Sequence, residues 1–170
     1  MKFESQLALL AAATLLLASG CGRKEPEVTD LQRKEATYLA TEADFAVTMR
    51  DYPRAEGVLV KVVALVPDNG SYWISLGSVR KKIGNAAGAK EAYQSALKAY
   101  EAQAKRAAKD SDPVLKQIYV LALLGRTDDG RALAETLPRR FPGDRNARIF
   151  IEEKQFEQML ADPGFKELAL

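Results

Sequence analysis

The residue types that most often carry chemistry are nearly absent from this chain. Its 170 residues include no histidine and a single cysteine, Cys21, which removes imidazole acid–base catalysis, Cys/His zinc sites, haem attachment through Cys-x-x-Cys-His and internal disulfides. Adjacent carboxylates stand at Asp128-Asp129 and Glu152-Glu153, but neighbours on a helix diverge by about 100° and do not converge on one substrate bond. Helix capping by Asp128 and solvent exposure of the two glutamates are expected instead. No phosphate-cradling Gly-x-x-x-x-Gly-Lys-Ser/Thr run and no Gly-x-Ser-x-Gly nucleophile elbow occurs. Basic clusters at Arg80-Lys81-Lys82 and at Arg139-Arg140 with Arg145 and Arg148 read as solvated helix faces first and as anion sites only second. Twenty-five basic against 23 acidic residues leave a net charge of +2, too near neutrality for a phosphate-binding surface, so no nucleic-acid partner is expected. The expectation is a protein that is not an enzyme, with no cofactor, no metal and no small-molecule substrate.

Composition describes an ordered, soluble body. Hydrophobic residues make up 47% and charged ones 28%, and a mean hydropathy of −0.22 excludes both a polytopic membrane protein and a charge-dominated disordered chain. The N-terminus departs from this pattern. Lys2 precedes an apolar run from Leu7 to Leu17, broken only by Thr14, and then Ala18, Ser19 and Gly20 lead to Cys21, the layout of a secretory signal. As a helix the run covers roughly 16 Å, against about 30 Å of hydrocarbon, so residues 1–20 read as a cleavable leader. Leu17-Ala18-Ser19-Gly20-Cys21 resembles the bacterial lipobox, with Ala18 where a larger aliphatic residue is usual. That resemblance implies a lipid on Cys21, which becomes the mature N-terminus. Residues 21–29, polar and containing Pro26, read as a lipidated tether reaching at most about 25–30 Å. Gly22 after the cysteine resembles an outer-membrane sorting signal.

From Asp30 onward apolar residues recur at spacings of three and four, with no alternating strand pattern, so the expected class is all-α. Turn signals recur at Arg50-Asp51-Tyr52-Pro53, Ile83-Gly84-Asn85 and Gly125-Arg126-Thr127-Asp128, and internal repetition is the first thing to test. Counting from Gly70, the residues Trp73, Leu76, Gly77, Gly84, Ala89, Tyr93 and Ala96 fall at positions 4, 7, 8, 15, 20, 24 and 27 of a 34-residue unit. This run resembles the tetratricopeptide (TPR) repeat, with Arg80 and Glu101 in place of its usual Tyr and Pro. The phase continues back through Ala55, Leu59, Val62 and Pro67, and forward, more degenerately, through Val114, Leu121, Gly125, Ala134, Leu137 and Pro142. The resemblance implies a right-handed superhelix of antiparallel helix pairs over 30–170: about three TPR units, 36–69, 70–103 and 111–144, and an amphipathic capping helix over 144–160. Gly77 and Ala89 are expected to be small where helices cross, with Trp73, Leu76, Tyr93 and Ala96 filling the space around them. Unit starts lie 34 and then 41 residues apart. Tyr100–Asp110 consists almost entirely of strong helix formers, so the second helix of the middle unit is expected to run on through 104–110 and protrude, offering Lys105, Arg106 and Lys109.

In the resembled family the first helices of successive units line a groove that binds peptides or protein surfaces. Carried over position by position, that groove is lined by Ile74, Ser78, Lys81 and Lys82 from the middle unit and by Leu115, Tyr119, Ala122 and Leu123 from the third, with Ala40, Asp44 and Val47 from the first. It is mostly apolar with a few lysines, suited to an amphipathic helix or an extended acidic segment. Ala40 and Asp44 occupy the positions of the carboxylate clamp of chaperone-binding members, so that clamp is not expected. The implied function is a lipid-anchored TPR adaptor or scaffold on the bacterial outer membrane, facing the periplasm. Its partner is another envelope protein or peptide segment, as in assembly of a pilus, a secretion channel or an outer-membrane complex. Two other classes stand beside it. One is an accessory subunit of a cell-wall enzyme, for which the repeats leave no room for a catalytic domain; the other is a self-associating structural lipoprotein.

Overall fold

The computed structural model describes residues 27–170; the leader, Cys21 and most of the tether lie outside the described residues. These residues are all-α, with no strand among them. Helix α1 (Asp30–Thr48) begins at a capping box in which the Thr29 hydroxyl accepts from the Gln32 N–H while Gln32 Oε1 accepts from the Thr29 N–H. Helix α2 (Tyr52–Leu65) starts from Asp51, whose carboxylate accepts from the Arg54 N–H, with Pro53 in the first turn where its missing donor is not needed. Asn69 caps α3 (Gly70–Lys82) and Asn85 caps α4 (Ala86–Arg106). Then follow α5 (Asp112–Leu123), α6 (Thr127–Glu135), the single turn α7 (Leu137–Arg140), α8 (Arg145–Glu152), α9 (Gln155–Ala161) and α10 (Pro163–Leu168).

Helices α1 and α2, α3 and α4, and α5 and α6 pack as sequential antiparallel pairs, and α2 on α3 and α4 on α5 join one pair to the next. The turns inside the second and third pairs pass through Gly84 (φ 82°) and Gly125 (φ 71°), a left-handed conformation that a Cβ would strain. The core divides into two clusters. The first holds Ala36, Ala43, Ala46, Ala55, Leu59, Val62 and Leu76 with their neighbours; the second holds Tyr93, Tyr100, Val114, Ile118, Leu137, Phe141, Phe156 and Phe165 with theirs. Gly77 lies against the face of Tyr93, where a Cβ would overlap the ring, and a Cβ on Gly70 would come within 2.6 Å of the Tyr100 ring. Ala89, Tyr93 and Ala96 are fully buried, Leu76 nearly so, and Trp73 half-buried. The absence of side-chain bulk at the crossings is what lets these helices approach.

The capping helix expected over 144–160 is not one helix. It breaks at Lys154, which takes a left-handed conformation (φ 53°, ψ 41°), and α8 and α9 lie on either side. The apolar positions explain the break. At about 100° per residue, Ala147, Phe150 and Ile151 face one side of a straight helix while Phe156, Met159 and Leu160 face the opposite side. The turn at Lys154 brings the second set back to the core, where Phe156 packs over Gly130. A third segment, α10, lies beyond the expected cap.

The extension after the middle unit is helical only in part. Helix α4 continues to Arg106, and residues 107–111 form the turn into α5 rather than a protruding helix. Its added turns are tied to the body: Gln103 Nε2 donates to the Asp68 carbonyl, Tyr100 shares a hydrogen bond with Ser71, and buried Gln117 donates to the Tyr100 carbonyl. Ser111, buried at the start of α5, donates to Asp144, so the chain must reverse there. Asp128 does not cap α6. Its carboxylate is exposed and accepts from Arg131, and α6 starts at Thr127 without a side-chain cap.

Candidate partner-binding groove

On α3 the residues Ile74, Ser78, Lys81 and Lys82, and on α5 the residues Leu115, Tyr119 and Leu123, follow spacings of three and four that align each set along one side of its helix. Residues 163–170 lie across these two helices. Phe165 is buried and meets Tyr119 edge-on, with ring centroids 5.6 Å apart and planes at 69°. Lys82 Nζ donates to Glu167 at 2.5 Å. The Tyr93 hydroxyl, reaching through from α4, donates to the Leu168 carbonyl at 2.9 Å, and the Leu170 N–H donates to the Leu123 carbonyl at 2.9 Å. Four different groups of the body thus hold one short segment, two through its side chains and two through its main chain.

The placement of each expected residue follows from this seating. Tyr119 and Lys82 touch the segment directly. Leu123 is fully buried, and its carbonyl, one of those left without a partner inside α5 at the helix end, is capped by Leu170. Ser78 is half-buried beside the Tyr93 phenol, which burial pushes above its ordinary range while the Ser78 hydroxyl partly offsets that shift. Ile74 and Leu115 are half-buried and pack against the second cluster. Lys81 is half-buried at the edge of α3. Burial also raises the Tyr119 phenol, so both phenols stay protonated and Tyr93 acts as a donor. The ion pair shifts both of its members toward the charged form: Lys82 is raised by Glu167, and Glu167 is lowered by Lys82.

The other candidates fall away from binding chemistry. Arg80 is half-buried, paired with Glu56 at 2.9 Å and donating to the Gly88 carbonyl, which consumes the charge an anion would need. Arg140 lies over the Phe141 ring, and Arg148 faces Glu152. Trp73 Nε1 donates to the Pro67 carbonyl; its ring walls an open cleft of about 500 Å³ between α2, α3 and α4, lined also by Val60, Val63 and Leu76. No protein-family model matches this chain, and no curated protein matches it.

Phe165, Glu167, Leu168 and Leu170 were not among the residues picked out by periodicity. A local signal was present in Asp162-Pro163-Gly164-Phe165. Asp162 accepts from the Phe165 N–H and Pro163 takes the first helical position, a helix start by the ordinary rules. That signal marks a helix but not the surface it covers.

Proposed function

We propose that this chain is a lipid-anchored TPR adaptor at the bacterial envelope, held to the outer membrane through Cys21, facing the periplasm and binding a segment of another envelope protein. The reading is of a non-enzymatic scaffold that takes no cofactor and no small-molecule substrate. It is carried by the seating of residues 163–170 across α3 and α5, a peptide-like segment bound by side chains and main chain together. It is supported by the series of antiparallel pairs in the 34-residue phase of Trp73, Gly77, Ala89 and Tyr93, and by the small residues at the helix crossings. The anchor rests on the lipobox-like residues before Cys21; no described helix is long and apolar enough to cross a membrane.

A photo-crosslinking residue at Lys81, beside the groove, is expected to give a discrete adduct in cells, whereas the same residue at exposed Lys90 on α4 gives none. Equal adducts, or none from Lys81, count against the adaptor. Cys21→Ser should abolish lipid labelling and release the protein from salt-washed membranes; continued retention counts against the anchor.

One observation favours self-association as a second reading. Leu31, Tyr38, Phe45 and Met49 form a stripe along α1, and each is 60% exposed or more. Light scattering of the mature form separates a monomer from a self-associating protein.

A further inference from the structure

The segment over the groove is built to be removed. Helix α10 has six residues, too few to hold its shape alone, so it is ordered by what it touches. One of its four attachments is the Lys82–Glu167 pair, in which the Glu167 side chain is 65% exposed, and such pairs hold weakly. Another is the single aromatic contact of Phe165. The groups beneath it are less ordinary. The Tyr93 hydroxyl is a donor and the Leu123 carbonyl an acceptor, and both are met by main-chain atoms two residues apart, across an Ala169 in extended conformation (φ −69°, ψ 153°). A donor and an acceptor set to receive the carbonyl of one residue and the N–H of the next but one recognise extended backbone, whatever its sequence. Lys82 and Tyr119 add the side-chain selection: a carboxylate, and an aromatic ring two residues before it.

Resting on the adaptor reading, we infer that residues 163–170 are a displaceable cover of the α3–α5 groove, and that the partner is a protein segment of the same chemistry. That segment carries an aromatic side chain for Tyr119, a carboxylate two residues later for Lys82, and then extended main chain for Tyr93 and Leu123. The cover lowers the apparent affinity for the partner by the fraction of time the groove stands open. It also selects against segments that bind less well than the chain's own.

The probe is a fluorescent peptide with the sequence of residues 161–170, titrated into the full chain. Wild type should bind it weakly. Phe165→Ala and, separately, Glu167→Lys should bind it about tenfold or more tightly, because each loosens the cover. In Glu167→Lys/Lys82→Glu the pair is rebuilt in reverse and the groove has lost the charge that receives the peptide's glutamate, so binding should fall back to the wild-type level or below. Should Phe165→Ala fail to fold, Glu167→Lys and one measurement on wild type still decide. The amides of Phe165–Leu170 should exchange at least about 100-fold faster than those of α5, by opening that leaves the body folded. Exchange at the rate of α5, or equal peptide affinity in wild type and the folded variants, overturns the cover. Peptide binding to the loosened chain without any crosslink from Lys81 in cells would leave the groove and its cover standing and remove the adaptor.

Discussion

The two ends of this molecule are built from the same helix pairs and finished in opposite ways. Around α1 and α2 the core is made of small residues, Ala36, Ala43, Ala46, Ala55 and a set of valines. Beyond them α1 leaves Tyr38 75% and Phe45 60% exposed. Around α5 and α6 the core is aromatic, with Tyr93, Tyr100, Phe141, Phe156 and Phe165, and the chain from Phe141 onward folds back over it. An array of helix pairs always has a bare apolar face at each end. Here one end covers its face with its own chain, including the groove, and the other does not. The difference shows that the covering belongs to particular residues and is not a property of the pair itself.

The largest expected effect is at the joint between the two clusters. Tyr93 is fully buried, lies over Gly77 and holds Leu168, so Tyr93→Ala should destabilise by about 3–5 kcal/mol. Urea denaturation should show it, together with loss of order in α10. Gly77→Ala presses on the same ring from the other side and should cost about 1–3 kcal/mol through overpacking. If its melting temperature matched wild type, the crossing would be looser than described.

Acid should act on the covered end alone. The Glu167 carboxyl is held below its ordinary value of about 4.5 by Lys82, so its contribution is present above that value and is lost as pH falls through the lowered one. Lys82 is raised from about 10.5, so its contribution is complete below that value and disappears as pH rises through the raised one. The pair therefore acts from about pH 5 to about pH 10. Ring-proton shifts of Phe165 are expected to move toward solvent values in acid and in strong base, and in Lys82→Met the acid transition should move up to the ordinary carboxylate range. A transition unaffected by Lys82→Met would show that the pair does not hold the segment.

The smallest effects are expected at the open end. Gly57 sits exposed within α2 with nothing near the position of a Cβ, so Gly57→Ala should stabilise by about 0.5–1 kcal/mol. Tyr38→Ser should change thermal stability by less than about 0.5 kcal/mol. A loss of several degrees in its melting temperature that depends on protein concentration would mean that a second copy covers α1.

Much of the helical frame was readable because its causes are local. Thr29, Asp51, Asn69 and Asn85 cap the helices they precede, and the small residues at 77 and 89 mark close crossings. Local patterns also misled. The apolar residues of 144–160 suggested one helix, although Ala147 and Phe156 stand half a turn out of phase and only a left-handed residue reconciles them. Helix propensity carried the expectation for 104–110 past Arg106, where the need to reverse into α5 overrode it. The groove residues were placed on their helices by spacing alone, and spacing does not reveal what lies on top.

The sequence by itself determined which segments are helical, where most of them start, which faces are apolar and where two helices approach without side chains between them. Periodicity and capping are properties of residues a few positions apart, so a linear reading captures them. Only the tertiary structure decided that Leu168 meets Tyr93 across 75 positions and Glu167 meets Lys82 across 85. An apolar face declares that it must be covered, by the cost of leaving it in water, but that cost is nearly indifferent to what covers it. The choice between a neighbouring pair, a partner and the chain's own last helix is made by shape and by a few polar groups, and these meet only when the chain has folded.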